Sequence, residues 1–396
     1  MSKNFTSEPF FDIGLDDKAD GDFNRTVVFE TPGLQERRGG TARQQGKPVS
    51  RDVVRDKQEV EDLVGGMNIN SYISSELDVS SDLVSPLDSV DEKYALLDAI
   101  GKGGTATIYV ARDRNLKRLV AVKSLKQDSK DYSKRLSRFV AEAKVTAQLD
   151  HPGIIPIHGL AHDDKDGVYL VMKLVKGKTL RDYLRNITMN YRMRGIDMFD
   201  EDMELRKRLE LFLRVCDTIQ YAHYRNVIHR DLKPENIMIG EFMEVFVMDW
   251  GFAKVVSPSG NTTGAKETLA GTPRYFSPEA LGGERSDPRS DIFTLGLILQ
   301  EVVALQYAVE GKTDKELMSN IYAGKLAPVE HLFHWRIDKY LHAIIQKATA
   351  YHLEERYQTV GELAEDLRRY MGGLSISARP DSAWDKIWQF FFGRRR

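Results

Sequence analysis

Five polar residues are of types that together could serve one kind of chemistry. Lys123 closes the run Val120-Ala121-Val122-Lys123, and Glu142 follows 19 residues later. Asp231 and Asn236 sit within His229-Arg230-Asp231-Leu232-Lys233-Pro234-Glu235-Asn236, and Asp249 opens Asp249-Trp250-Gly251, 18 residues beyond Asp231. A lysine steadied by a glutamate can meet phosphate oxygens. A carboxylate with an amide oxygen suits a hard divalent cation. A second carboxylate can take a proton from a hydroxyl. These are the tasks of phosphoryl transfer, in which charge must be neutralised and oxygens held in line. Gly101-Lys102-Gly103-Gly104-Thr105-Ala106 adds a turn whose backbone N–H groups can approach phosphate without Cβ interference.

The elements needed to position these groups are legible around them. Tyr94–Ile100 and Thr107–Arg112 read as strands flanking the glycine-rich turn, and Leu119–Leu125 as a third strand. A strand after the turn argues against a dinucleotide-binding βαβ unit, which requires a helix there. Ser133–Leu149 has helical spacing, so Glu142 falls on a helix. Gly153–Leu160 and Gly167–Leu174 read as two further strands. Beyond Gly177 the texture is helical, with amphipathic segments at Met203–Tyr224, Ser290–Ala308, Arg336–Ala350 and Val360–Met371. Residues 187–202 read as an insertion between two helices. The expected fold class is α+β: a small five-stranded antiparallel sheet lobe (94–175) followed by a larger, mainly helical lobe (176–371).

In this order, and with Gly271-Thr272-Pro273 ahead of Ser277-Pro278-Glu279, the motifs resemble the protein kinase signature set over residues 94–371. Val227–Lys254, with Trp250 after the metal-binding aspartate, is similar to bacterial Ser/Thr kinases. The resemblance implies ATP with Mg²⁺, or Mn²⁺ in its place. It assigns Lys123, paired with Glu142, to the α- and β-phosphates, Asp231 to the acceptor hydroxyl, Lys233 to the γ-phosphate, and Asn236 with Asp249 to the metal. Ile100, Ile108, Ala121 and Met238 would enclose adenine, with Met172 at the back of the pocket. Backbone groups of Lys173 and Val175 would pair with the adenine edge. Glu279 with Arg356 is expected as a structural ion pair, and Asp291 as a brace for the catalytic loop. Three departures leave every charge in place: Ala106 for the third glycine, Trp250 for phenylalanine and Ser277 for alanine.

Lys233, two residues past Asp231, and Thr272 before Pro273 resemble Ser/Thr rather than Tyr kinases, which makes protein hydroxyls the expected acceptors. Phe252–Phe276 is the expected activation loop. Thr268 is its first phosphosite candidate, ahead of Thr262 and Thr263, with Arg230 and Lys254 as phosphate partners. Self-association for phosphorylation in trans follows from that reading. The alternatives are a nucleotide-binding pseudokinase scaffold and a small-molecule phosphotransferase on the same fold.

The rest of the 396-residue chain is different in character. Residues 1–93 hold 11 basic and 19 acidic side chains, and only 29 of the 93 are apolar, without helical or strand period. That composition predicts a disordered acidic arm. The overall net charge of −2 gives no support to nucleic-acid binding. Cys216 is the single cysteine, so no intrachain disulfide can form and a reducing, cytoplasmic setting is expected. Met1–Asp12 lacks a secretion signal's basic start and apolar core. Residues 372–396 form a basic–aromatic tail, with Trp384, Ile387, Trp388 and Phe391 at helical spacing before Arg394, Arg395 and Arg396. Such a tail suits peripheral contact with the inner face of a membrane.

Overall fold

The computed structural model describes residues 88–102, 106–126, 132–163, 167–256 and 271–379. The small lobe is built on strands β2 (Tyr94–Lys102), β3 (Ala106–Asp113), β4 (Leu119–Leu125), β5 (Ile157–His162) and β6 (Val168–Lys173), all paired antiparallel. A two-residue strand, β1 (Asp88–Ser89), joins the edge parallel to β5, giving the order β1-β5-β6-β4-β3-β2. This ordered unit begins ahead of Tyr94 for a physical reason. Val90, on the short helix α1 (Val90–Lys93), and Tyr94 are buried with Ala111, Val120, Val122, Ala161 and Val171. They close the outer face of the sheet.

Strand β4 is central, and its period of two splits its side chains between faces. Val120 and Val122 enter that outer cluster, while Leu125 packs on the opposite side with Phe139, Ala143, Val168 and Leu170. Phe139 and Ala143 come from helix α2 (Tyr132–Ala147), whose buried positions Phe139, Val140, Ala143 and Thr146 form one stripe. The parity that sends Val122 outward sends Lys123 inward, toward α2. A one-residue slip in β4 would reverse both.

The helical lobe starts at β7 (Gly177–Thr179), which leads into α3 (Leu180–Arg194) through an N-cap at Thr179. Leu180, Leu184, Ile187 and Tyr191 are buried at helical spacing. The span 187–194 is therefore the second half of a helix, and the insertion expected over 187–202 is reduced to a 3-10 turn at Ile196–Met198 with its flanks. Helix α4 (Glu201–Tyr224) is capped by Asp200 and carries Glu201, Asp202 and Glu204 in its first turn. Its buried stripe includes Phe212, Val215, Cys216 and Ile219. Short strands β8 (Val227–Ile228), β9 (Ile237–Gly240), β10 (Val245–Val247) and β11 (Lys254–Val255) follow, with β10-β9-β7 and β11-β8 pairings. Helices α5 (Pro278–Leu281), α6 (Pro288–Ala304), α7 (Asp314–Tyr322), α8 (Lys339–Ala348) and α9 (Val360–Met371) complete the lobe. Helix α6 is buried on every side from Asp291 to Ala304 and forms the lobe's axis. No helix among the described residues is long and apolar enough to cross a membrane.

Residues 372–379 belong with this lobe. Ile376 is buried, and Asp366 on α9 accepts from the Ser377 and Ala378 backbone amides at 2.7 and 2.9 Å.

One buried cluster joins α3 to α4. Glu201 accepts from the Tyr191 hydroxyl and from Arg208, and the His331 ring lies 3.4 Å away. Burial works against the Glu201 charge, but His331 and Arg208 outweigh it and pull its pKa down to about 2. A carboxylate held below its ordinary value stabilises the fold above pH ~4.5, and the contribution disappears as pH falls toward 2. The shift corresponds to about 3 kcal/mol. The thermal midpoint of the wild type is expected to fall steeply across that window. Glu201→Gln should be less stable at pH 7 and decline less steeply, and a decline as steep as the wild type's would remove Glu201 from the account.

Candidate active site

The cleft between the lobes gathers the chemically suggestive residues. Lys123 Nζ donates to Glu142 Oε1 and Oε2 at 2.7 and 2.9 Å. It also lies 3.5 Å from Asp249 Oδ1, so one ammonium links α2, β4 and the large lobe. Burial opposes its charge, but the Glu142 and Asp249 carboxylates overcome this and hold its pKa above the usual lysine value. Lys123 in turn pulls Asp249 below the ordinary carboxylate range, leaving it ionised at neutral pH.

Asp249 has φ +63°, in the left-handed region. The conformation turns the chain sharply into the 3-10 segment Trp250–Phe252. Trp250 anchors it: the ring is buried, its Nε1 donates to Val247 O at 3.3 Å, and it lies 4.6 Å from the His229 ring. Tryptophan thus supplies a packing contact and an indole hydrogen bond that phenylalanine lacks. Gly251 passes close to Glu142. An added Cβ there would lie 3.2 Å from Glu142 Oε2.

The catalytic-loop residues form a second group. Asn236 Nδ2 donates to Asp231 O and Oδ2 at 2.8 and 3.1 Å, and Lys233 Nζ lies 3.1 Å from Asp231 Oδ2. The Thr272 hydroxyl accepts from Lys233 Nζ at 2.7 Å and donates to Asp231 Oδ1 at 3.0 Å. Thr272, expected on the substrate platform, is therefore bonded to the candidate base itself. The approach depends on Gly271, at φ +127°, where a Cβ would meet Arg230 O, Phe276 and Asp231 Oδ1 at 3.0 to 3.1 Å.

Asp291 braces this loop as expected. Its carboxylate accepts from the His229 and Arg230 amides at 2.8 and 3.0 Å and bonds His223 Nε2 at 2.8 Å. Burial pushes its pKa up, but the His223 hydrogen bond and nearby histidines win and hold it below the ordinary value. Arg230, at φ +68°, is secured in a costly backbone conformation by this brace. His229 completes it, with Nε2 3.0 Å from Met248 O and Nδ1 accepting from the Asp231 amide.

The candidate adenine residues converge less completely. Val175 and Met238 are buried in one cluster with Ile155 and Phe246, and Met172 packs against it. Ala121 pairs with Met172 across β4 and β6, and Ile108 with Lys123 across β3 and β4. Gly101 and Lys102 pair with Ile108 and Thr107, so β2 and β3 stay paired up to both ends of the glycine-rich segment. Ile100 is half-buried on β2, and Ala106 is buried at the start of β3. Gly103, Gly104 and Thr105 lie outside the described residues, as do Thr262, Thr263 and Thr268. The Lys173 N–H donates to Pro156 O at 3.0 Å.

One set of polar residues beside the loop went unnoticed in the sequence. Arg181 Nε and Nη1 donate to Glu235 Oε1 and Glu301 Oε2, each at 2.7 Å, and Nη2 donates to the Tyr275 hydroxyl. Arg181 lies 54 residues from Glu235 and 120 from Glu301, and no local spacing signals such a set.

A family model, the protein kinase domain, matches residues 94–367. The chain belongs to the protein kinase family. Its two lobes are those of a kinase, with the five antiparallel strands forming the smaller one. Among curated relatives, the kinase is 31% identical over 301 residues to the serine/threonine-protein kinase PknD of Chlamydia felis, covering 71% of this chain and 31% of that protein. It is 32% identical over 303 residues to PknD of Chlamydia abortus, again 71% and 31% of the two chains. The match to PknD of Chlamydia muridarum is 31% over 329 residues, covering 76% and 34%. The kinase thus spans about a third of the length of these relatives.

Proposed function

We propose that this kinase transfers the γ-phosphoryl group of ATP to serine or threonine hydroxyls of proteins. The observation that carries this reading is the assembled pair of groups: Lys123 bonded to both Glu142 oxygens, and Asp231 held by Asn236, Lys233 and Thr272. Asp231 orients the acceptor hydroxyl and takes its proton at a carboxylate oxygen, and Lys233 neutralises the γ-phosphate. Lys123, fixed by Glu142, binds the α- and β-phosphates. The intact set of charges weighs against the pseudokinase reading.

Mg²⁺ fits the donors present. Asp249 is an ionised carboxylate and Asn236 an amide whose nitrogen is already committed to Asp231, so its oxygen is the atom left to coordinate. An oxygen-only set with few protein ligands matches Mg²⁺, which draws its other ligands from phosphate and water. When bound, the cation supplies charge neutralisation at the phosphates.

The Thr272 contact supports Ser/Thr acceptors, because its hydroxyl spans the base and the phosphate-neutralising lysine. The test is label transfer from ATP with Mg²⁺ to the kinase itself and to acidic and basic acceptor proteins, comparing wild type with Asp231→Ala. No label on any acceptor would overturn the reading. Label on free metabolites alone would favour the small-molecule alternative.

Two finer readings rest on residues outside the described ones. Autophosphorylation at Thr268, through self-association, is tested by mapping phosphosites after incubation with ATP at two protein concentrations. Membrane contact through residues 380–396 is tested by co-sedimentation with anionic liposomes, with and without that segment.

A further inference from the structure

The turn between β3 and β4 carries a dense group of cations that the active site does not use. Arg112, Arg114, Lys117 and Arg118 are all exposed. Asp113, the one carboxylate among residues 112–118, is buried and serves the turn itself, accepting from the Asn115 and Leu116 amides at 3.0 Å each. Arg118 Nε lies 3.7 Å from it. Within this run four cations meet one carboxylate, which leaves a surplus of positive charge on the surface. Two leucines stand among the cations, Leu116 at 65% and Leu119 at 47% exposure. Leu119 is the cross-strand partner of Arg112, so these two side chains share a face. A single exposed leucine is ordinary. Leucines set among like charges make a face that gains from a partner both acidic and apolar.

The chain roots such a partner beside this turn. Lys93 O accepts from Arg114 N at 2.9 Å, and Tyr94 pairs with Asp113. Leu87 is six residues ahead of Lys93, so it lies within ~20 Å of it whatever path the chain takes. Residues 58–87, which lie outside the described ones, hold six acidic side chains and no lysine, arginine or histidine. The stretch nearest the root, 76–87, interleaves Glu76, Asp78 and Asp82 with leucines and valines. Fully extended it spans ~40 Å, so it can double back over the turn.

We propose that residues 76–87 dock on the β3–β4 turn of their own chain. Their carboxylates face Arg112, Arg114 and Lys117, and their leucines and valines cover Leu116 and Leu119. Tethering favours this occupant, because a segment rooted so close is present at an effective concentration in the mM range. A second copy meeting the turn through the same turn would oppose positive charge with positive charge. The acidic arm and the mildly basic kinase unit are thereby two halves of one contact.

A carbodiimide, which condenses a carboxylate with a touching amine, tests this on the full chain, since Lys117 is the one lysine among residues 112–118. Peptide mass spectrometry is expected to find Lys117 joined to Glu76, Asp78 or Asp82. In an equal mixture of isotopically light and heavy protein, the link should join light with light and heavy with heavy. Arg112→Glu/Arg114→Glu keeps Lys117 as reporter and should lower the yield by about threefold or more, the scale of two exposed charge pairs reversed. Glu76→Lys/Asp78→Lys/Asp82→Lys should raise hydrogen exchange at the amides of residues 115–119 by a similar factor. That rise upholds the proposal even where no link forms, because the link also needs a carboxylate within bonding reach of Lys117. Links between light and heavy chains give the surface to a second copy and overturn it. A yield indifferent to the charge reversal overturns it too, since the tether alone then accounts for the link. No link at Lys117, with exchange at residues 115–119 unchanged, leaves the turn without this occupant and overturns it equally.

Discussion

Asp231→Asn lowers phosphoryl transfer by about 10²- to 10⁴-fold, the range for losing a positioned general base, while nucleotide affinity stays within about twofold. The substitution keeps an oxygen that can accept from Thr272 and removes the group proposed to take the proton. Lys123 and Asp249, proposed to meet phosphates and metal, and Glu142 are untouched, and Lys123 contacts both carboxylates. The loss should therefore fall on kcat, measured by steady-state labelling, with nucleotide Kd followed separately by calorimetry. A variant that keeps more than about a tenth of wild-type turnover would place the base elsewhere, since even weak general-base catalysis exceeds that factor.

The largest effect on stability is expected at Arg356. All five of its N–H groups are used: Nε to Ala350 O, Nη1 to Glu279 Oε1 and Arg289 O, and Nη2 to Glu279 Oε2 and Tyr351 O, at 2.7 to 3.0 Å. The side chain is fully buried and also lies 4.8 Å from the Phe293 ring centroid. Glu279 Oε1 accepts in addition from Ser290 Oγ at 2.7 Å. Arg356→Met keeps much of the volume but strands a buried carboxylate and three backbone carbonyls. Breaking such a pair costs about 3 to 5 kcal/mol, which in a lobe of this size lowers Tm by roughly 10 °C. Arg356→Lys recovers little, because an ammonium cannot reproduce the planar fork. Adding Glu279→Gln to Arg356→Met should restore part of the loss by removing the stranded charge. A drop below about 2 °C for Arg356→Met would show that the pair does not hold the lobe together.

Much of the active site was legible because its parts come from short segments with strong local signals. The spacing of 19 between Lys123 and Glu142 is the length of one strand end, a connection and just over half a helix, and the pair forms at 2.7 Å. Asp231, Asn236 and Asp249 sit on a loop–hairpin–turn whose strands β9 and β10 are themselves apolar runs. Glu279 with Arg356, and Asp291 beneath the loop, also stand where the resemblance placed them.

Other features depended on tertiary context. A strand was expected over Gly153–Leu160, but β5 runs over Ile157–His162. The apolar run is divided between lobes: Ile154 bridges to Val247 and is buried in the large-lobe core, while Ile155 enters the cluster with Val175 and Met238. Pro156, lacking an N–H, marks the change. Residues 187–194 read as an insertion because Met189, Met193 and the arginines dominate by type. The buried spacing of Leu180, Leu184, Ile187 and Tyr191 was the signal that would have extended α3. The apolar stretch Ile292–Val309 is a buried helix only to Ala304. Leu305 then takes φ +56°, and Ala308 and Val309 are buried beyond the helix end.

The one thiol of the chain has a practical consequence. Cys216 is fully enclosed in α4, and burial raises its pKa above that of a free cysteine, so almost none of it is thiolate at neutral pH. With no other cysteine among 396 residues, the folded protein carries no competing site for maleimide or iodoacetamide. A pair of cysteines introduced at exposed positions, Leu97 on β2 and Tyr322 on α7, would take fluorophores or spin labels alone, and the distance between the lobes could then be followed without first stripping the chain of native thiols.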